Sequence, residues 1–144
     1  MRRIVEGVVY GADEAICEMV RQRIPLLTDG FQPGTPALGV FRHGKLLGGV
    51  VFDLYTGRDI VMSAAFDSPA WCTRKILKRL FSYPFVQLGC RRMTTITTVD
   101  NEAALSLDRR LGFVEEGRLR KAFPGDTDAI VLGMLREECK WLGD

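Results

Sequence analysis

NEAALSLDRRLGF, residues 101–113, reads as one helix with both ends marked. Asn101 is a good N-cap, because its side-chain oxygen can accept a free N–H of the first turn. Glu102 suits the positive end of the helix dipole, and Arg109 and Arg110 suit the negative end. Gly112 stands where the chain must turn left-handed to stop. The stretch before it, RRMTTITTV (91–99), is rich in threonine and β-branched residues and predicts a strand. The stretch after it, Phe113 to Ala122, predicts another.

Working outward, Ser68-Pro69 offers an N-cap followed by proline at a first helical position. Thr73, Ile76, Leu77, Leu80 and Phe81 follow at helical spacing, so one helix is expected from Ser68 to Phe81, broken by Tyr83-Pro84. Asp59 to Ala65 predicts a strand. Two apolar runs flank His43-Gly44, a hairpin signal, and Leu46 to Leu54 is so continuously apolar that it belongs in mid-sheet. The turn-rich segment 28–36 reads as a loop. Ala12, Ala15, Ile16, Met19 and Val20 recur at helical spacing, with Pro25 as the stop, and Ile4 to Val9 predicts a first strand. Asp128 to Leu135 predicts the last strand and Arg136 to Trp141 a terminal helical turn. The order is β-α-β-β-β-α-β-α-β-β, an α/β fold with a mixed sheet flanked by helices.

Composition narrows the function classes. At 144 residues the chain fits a single domain, residues 1–144. A net charge of +2 argues against a dedicated nucleic-acid binder. No stretch approaches the roughly 18 apolar residues of a membrane span. The start, MRRIVEGVVYGADE, lacks the apolar run of a signal peptide, so a cytoplasmic protein is expected. Cys17, Cys72, Cys90 and Cys139 are scattered and there is one histidine, so no metal site is expected, and the thiols should pack as small apolar residues.

From Ser68 to Val99 there is no acidic residue, while Arg74, Lys75, Lys78, Arg79, Arg91 and Arg92 fall in that stretch. Thr73, Arg74 and Lys75 lie near the start of the expected helix, where free N–H groups already attract anions. A phosphorylated ligand fits this pattern. A solvated basic face fits it equally, and no aromatic platform accompanies the charge to suggest nucleic acid.

The pattern Asn101, Ala104, Leu111-Gly112-Phe113, then Glu116-Gly117 and Arg120 resembles the closing half of the GNAT superfamily of acetyl-CoA-dependent acyltransferases. Within it the chain resembles small bacteriophage-type proteins, and its DTDAIVLGML and ECKWL the branch that acetylates protein amino termini. The resemblance implies the GNAT fold, in which two neighbouring strands splay and the pantetheine arm of acetyl-CoA pairs with one of them. Here these would be Asp59–Ala65 and Arg91–Val99, with Ala64 on the cofactor's path. It implies a diphosphate held by Ser68, Thr73 and Arg74 at the following helix, with Trp71 either covering the ligand or packing on the sheet. Asn101 would contact the cofactor, cap its helix, or both.

Two departures from the family pattern stand out. The usual glycine-rich diphosphate loop is replaced by FDSPAWCTRK (66–75), which holds no glycine. Where many members carry a tyrosine that protonates the departing thiolate, this chain has Asp108. Beside Arg109 and Arg110 an ionised Asp108 is expected, which would attract a cationic amine; protonated, it would be an acid; it could also be a solvated helix residue. Asp53 and Tyr55, expected to share a strand face, are the candidate bases, or else polar residues at a strand end. The expected activity is transfer of an acetyl group from acetyl-CoA to an amine acceptor, a peptide, protein or small molecule, with neither nucleic acid nor membrane as partner and a homodimer possible through exposed sheet edges. The alternative is a catalytically degenerate binding protein of the same fold, such as a phage-borne effector of a host protein.

Overall fold

The computed structural model describes residues 2–24 and 30–143. Pro25, and the first two residues of the loop 28–36, lie outside these. The chain forms β1 (Arg3–Val5), β2 (Val8–Tyr10), α1 (Asp13–Arg23), β3 (Ala37–Arg42), β4 (Lys45–Asp53), β5 (Val61–Phe66), α2 (Arg74–Ser82), β6 (Arg92–Thr98), α3 (Glu102–Leu111), β7 (Val114–Phe123) and β8 (Thr127–Leu135). Eight strands make one sheet in the order β1-β2-β3-β4-β5-β6-β8-β7. Every neighbouring pair is antiparallel except β5 and β6.

Helices α2 and α3 cover one face. Ile76, Leu77, Leu80 and Phe81 of α2 and Leu105 and Leu111 of α3 join Val50, Phe52, Met62, Met93, Leu132 and Met134 in the main core. On the other face Ile16 and Val20 of α1 pack with Ala37 and Val51. This second contact depends on glycine. A Cβ on Gly39 would stand 2.6 Å from Ile16 Cδ1, and one on Gly49 2.4 Å from Ile16 Cγ2. Gly39 of β3 and Gly49 of β4 thus let α1 sit directly on the backbone of both strands.

The helix 101–113 forms as its sequence predicts. Asn101 Oδ1 accepts from Ala104 N at 3.2 Å, and Gly112 is left-handed with φ 117°. The hairpin turn at His43-Gly44 also forms, both residues having positive φ. The mid-sheet position of the Leu46–Leu54 run is correct for its strand, although Leu54 itself projects beyond it, 72% exposed.

Three expectations are corrected. The Ile4–Val9 strand is a hairpin, because Glu6-Gly7 turns at positive φ and splits it into β1 and β2, giving one strand more than the spacing predicts. The helix expected from Ser68 is two elements. Ser68 caps a short 3-10 turn, Pro69–Trp71, and Thr73 Oγ1 caps α2 separately by accepting from Ile76 N. Of the four cysteines only Cys90 is buried, and Cys72 is exposed between the two caps.

Candidate active site

Strand β5 pairs with β4 along all of Val61–Phe66, but its only register partner across to β6 is Val61 with Thr94. On its far side β6 pairs with β8 along its whole length. The two parallel strands therefore part after their first residues. The carbonyl of Ile60 accepts from Thr94 N at 2.9 Å, and that of Met62 accepts from the Thr95 hydroxyl at 3.1 Å in place of a backbone donor. By the period of two, the backbone N–H and C=O of Ala64 face the same gap. A backbone edge without a strand partner is a ready template for an extended amide chain.

Both helices that follow these strands start at the open end of the gap. α2 begins where β5 and its turn finish, and α3 where β6 finishes. In the turn that stands in for a glycine-rich loop, donors are consumed internally. Ser68 Oγ accepts from Ala70 N, and the Cys72 and Thr73 N–H groups bond to Pro69 and Trp71 carbonyls. What remains for an anion is the first turn of α2, with the side chain of Arg74 exposed beside it. Trp71 is buried, its ring stacked on Phe66 with centroids 4.0 Å apart, so of its two expected roles it packs on the sheet. Arg74 lies over the ring of Trp141 at 5.6 Å. Asn101 is exposed and caps α3.

Asp108 departs furthest from expectation. It is neither solvated nor paired with its neighbouring arginines. Arg109 turns instead to Glu115. Asp108 lies on the inner side of α3 at 8% exposure, and the Thr97 hydroxyl of β6 donates to its Oδ2 at 3.0 Å. Burial raises its pKa to about 6, against the opposing pull of the Thr97 hydrogen bond and the charge of Arg109. A carboxyl with that value exchanges protons near neutral pH. Thr97 was not singled out from sequence. Its signal was its place on β6 beyond the last residue paired to β5, on the same side of the sheet as α3.

Asp53 and Tyr55 do not share a strand face. β4 ends at Asp53, and Leu54 adopts a positive φ of 53°, which breaks the alternation. Both still border one cavity of about 280 Å³ at this end of the sheet. Asp53 is half-buried, which raises its pKa. Asp59, the other carboxylate near β5, is occupied structurally: it accepts from Thr94 Oγ1 at 2.9 Å and pairs with Arg92 at 3.3 Å. Among the described residues no group of histidine, cysteine or acidic side chains could hold a metal ion.

No protein-family model and no curated protein matches this sequence. Solved structures do. A mutant form of the spermidine/spermine N-acetyltransferase SpeG from Vibrio cholerae aligns with TM-score 0.65 and 21% identity, covering 74% of this chain and 69% of that one. A protein described as a probable acetyltransferase aligns over 96% of this chain and 98% of its own, with TM-score 0.70 and 16% identity. Another, described in equivalent terms, aligns with TM-score 0.72 and 17% identity over 95% and 87%. At such identities the likeness establishes the fold alone, one that these acetyltransferases share.

Proposed function

We propose that this chain, which has the fold of the GNAT acetyltransferases, is an acetyl-CoA-dependent N-acetyltransferase. The observation that carries this reading is the buried Asp108 carboxyl, held by Thr97 of β6, the strand that parts from β5. Nothing in the packing of α3 requires a carboxyl at that point, and its desolvation is costly. A role as proton donor accounts for one.

The residues present fit the donor. The free backbone edge at Ala64 suits the amides of a pantetheine arm, and the start of α2 with Arg74 suits its phosphates. When bound, acetyl-CoA supplies an activated acyl carbon that takes the amine nitrogen as its carbon–sulfur bond breaks. A further free N–H along this edge of β5 would polarise the acyl oxygen. Asp108 in its protonated form gives its proton to the departing sulfur, the work that tyrosine does in many members. Asp53 offers the carboxylate toward which the acceptor's ammonium proton leaves.

Calorimetric titration of the whole chain with acetyl-CoA, repeated with desulfo-CoA, tests this. Binding of both at micromolar to millimolar concentration supports the reading, and thiol release in the presence of amines extends it. Absence of heat at millimolar ligand removes its basis. Binding without thiol release to any amine would favour a non-catalytic binding protein.

A further inference from the structure

We infer that the cavity at the end of β4 is the acceptor site and that it selects a monoamine with an apolar body over a polyamine. The inference rests on the N-acetyltransferase reading and names its substrate class. The cavity, about 280 Å³, is bordered by Asp53, by Tyr55 and Tyr83, and by apolar Phe52, Ile60 and Leu88, with no lysine or arginine among its lining residues. The two larger cavities have the opposite character. One of about 830 Å³ is lined by Arg3, Arg74, Lys75, Lys78 and Arg79 against Glu6, and one of about 560 Å³ by Arg58, Arg91 and Arg136 against Glu137. The cationic excess in each disfavours an ammonium ion.

Asp53 is suited to meet a cation. It is half-buried, and among the described residues no lysine or arginine is paired with it, whereas Asp67, Asp128 and Glu116 each hold an arginine. An ammonium entering the cavity offsets the cost of keeping this carboxylate from water. The neighbouring tyrosine rings add favourable quadrupole contacts. Asp53 is the one acidic residue among the described residues that line the cavity, so a second ammonium on the same ligand gains no carboxylate within it. The chemistry therefore differs from that of a polyamine site, although a spermidine/spermine acetyltransferase shares the fold.

The position is consistent with a meeting of two substrates. Tyr83 follows the last residue of α2, while the proposed phosphate site is at the first turn of the same helix. Nine helical residues span about 14 Å, on the order of an extended pantetheine arm. Donor and acceptor would enter from opposite ends of β5 and meet between β5 and β6.

The test is calorimetry on the whole chain with benzylamine, its uncharged analogue benzyl alcohol, and spermidine. Benzylamine should bind, benzyl alcohol should bind at least about tenfold more weakly, and spermidine should bind no more tightly than benzylamine. Asp53→Asn should weaken benzylamine by about tenfold or more and leave acetyl-CoA affinity unchanged, which also reports that the variant is folded. Benzylamine affinity indifferent to Asp53→Asn, tighter binding of spermidine, or no benzylamine binding at millimolar ligand each overturns the inference. Because these titrations omit acetyl-CoA, failure here is distinct from failure of the donor titration, which would strike the acetyltransferase reading itself.

Discussion

Thr97 and Asp108, on β6 and α3, share a hydrogen bond of 3.0 Å inside the protein. It joins the strand that leaves the sheet's parallel pairing to the helix that follows it, and it is the polar contact of an otherwise apolar helix face. Leu105 and Leu111, on the same face, are buried in the core. A carboxyl held there at a pKa of about 6 is protonated in roughly a tenth of molecules at pH 7 and in half at pH 6.

If Asp108 delivers that proton, Asp108→Asn lowers turnover by about 10²–10⁴, the usual loss for a general acid. In the wild type, turnover should fall as pH rises through about 6, and the variant should lack this limb. A variant that instead raises KM and leaves turnover intact would make Asp108 a binding charge. Steady-state kinetics across pH 5–8 separate the two.

Stability should move the other way. The folded pKa of Asp108 lies above its ordinary 3.8, so the folded state holds this proton more tightly than the unfolded chain. The associated stabilisation is fully present below about pH 4 and is lost as pH rises through about 6. Asp108→Asn carries no such loss. It should be more stable than the wild type at pH 7 by up to about 3 kcal/mol, on the order set by the shift, with the difference closing toward pH 4. Urea melts at the two pH values read this directly.

At the start of α2, Arg74→Glu should weaken acetyl-CoA binding by about 1–3 kcal/mol, the scale of a charge-assisted contact. The side chain is exposed and rests on Trp141, so the melting temperature should change little. Unchanged affinity would put the phosphates elsewhere.

Asn101→Ala removes the hydrogen bond to Ala104 N and should cost about 1 kcal/mol of stability as a lost cap. A parallel loss of acetyl-CoA affinity, measured on the folded variant, would show that the residue also contacts the donor. A loss of stability alone would confine it to capping.

Where α1 meets the sheet, Gly49→Ala should destabilise by about 1–3 kcal/mol, because its Cβ would stand 2.4 Å from Ile16 and 2.9 Å from the Leu38 carbonyl. Gly117→Ala on β7 meets nothing within 4 Å and serves as the control. Equal melting temperatures for the two variants would mean that α1 can shift to make room.

The sequence by itself determined the elements whose signals are local. The cap at Asn101, the left-handed stop at Gly112 and the turn at His43-Gly44 each concern a few adjacent residues, and each forms as read. The continuous apolar run of β4 likewise foretold a strand covered on both faces. Local signals misled where two readings compete over short range. Ser68 and Thr73 are both caps, and each starts its own element, with Trp71 packed on Phe66 between them.

The candidate site could be read from the sequence only as a set of positions, not as an environment. Asp108 sits beside two arginines in sequence, which argued for an ionised, solvent-facing carboxylate. Helical geometry turns Arg109 outward to Glu115 and Asp108 inward to Thr97, so burial outweighs the neighbouring charge. Asp53 and Tyr55 were placed on one face by a period of two that Leu54 breaks, yet the tertiary fold brings them to the same cavity. A pKa and a cavity depend on what surrounds a group in space, and those surroundings come from segments distant in the chain. The tertiary structure alone decided them.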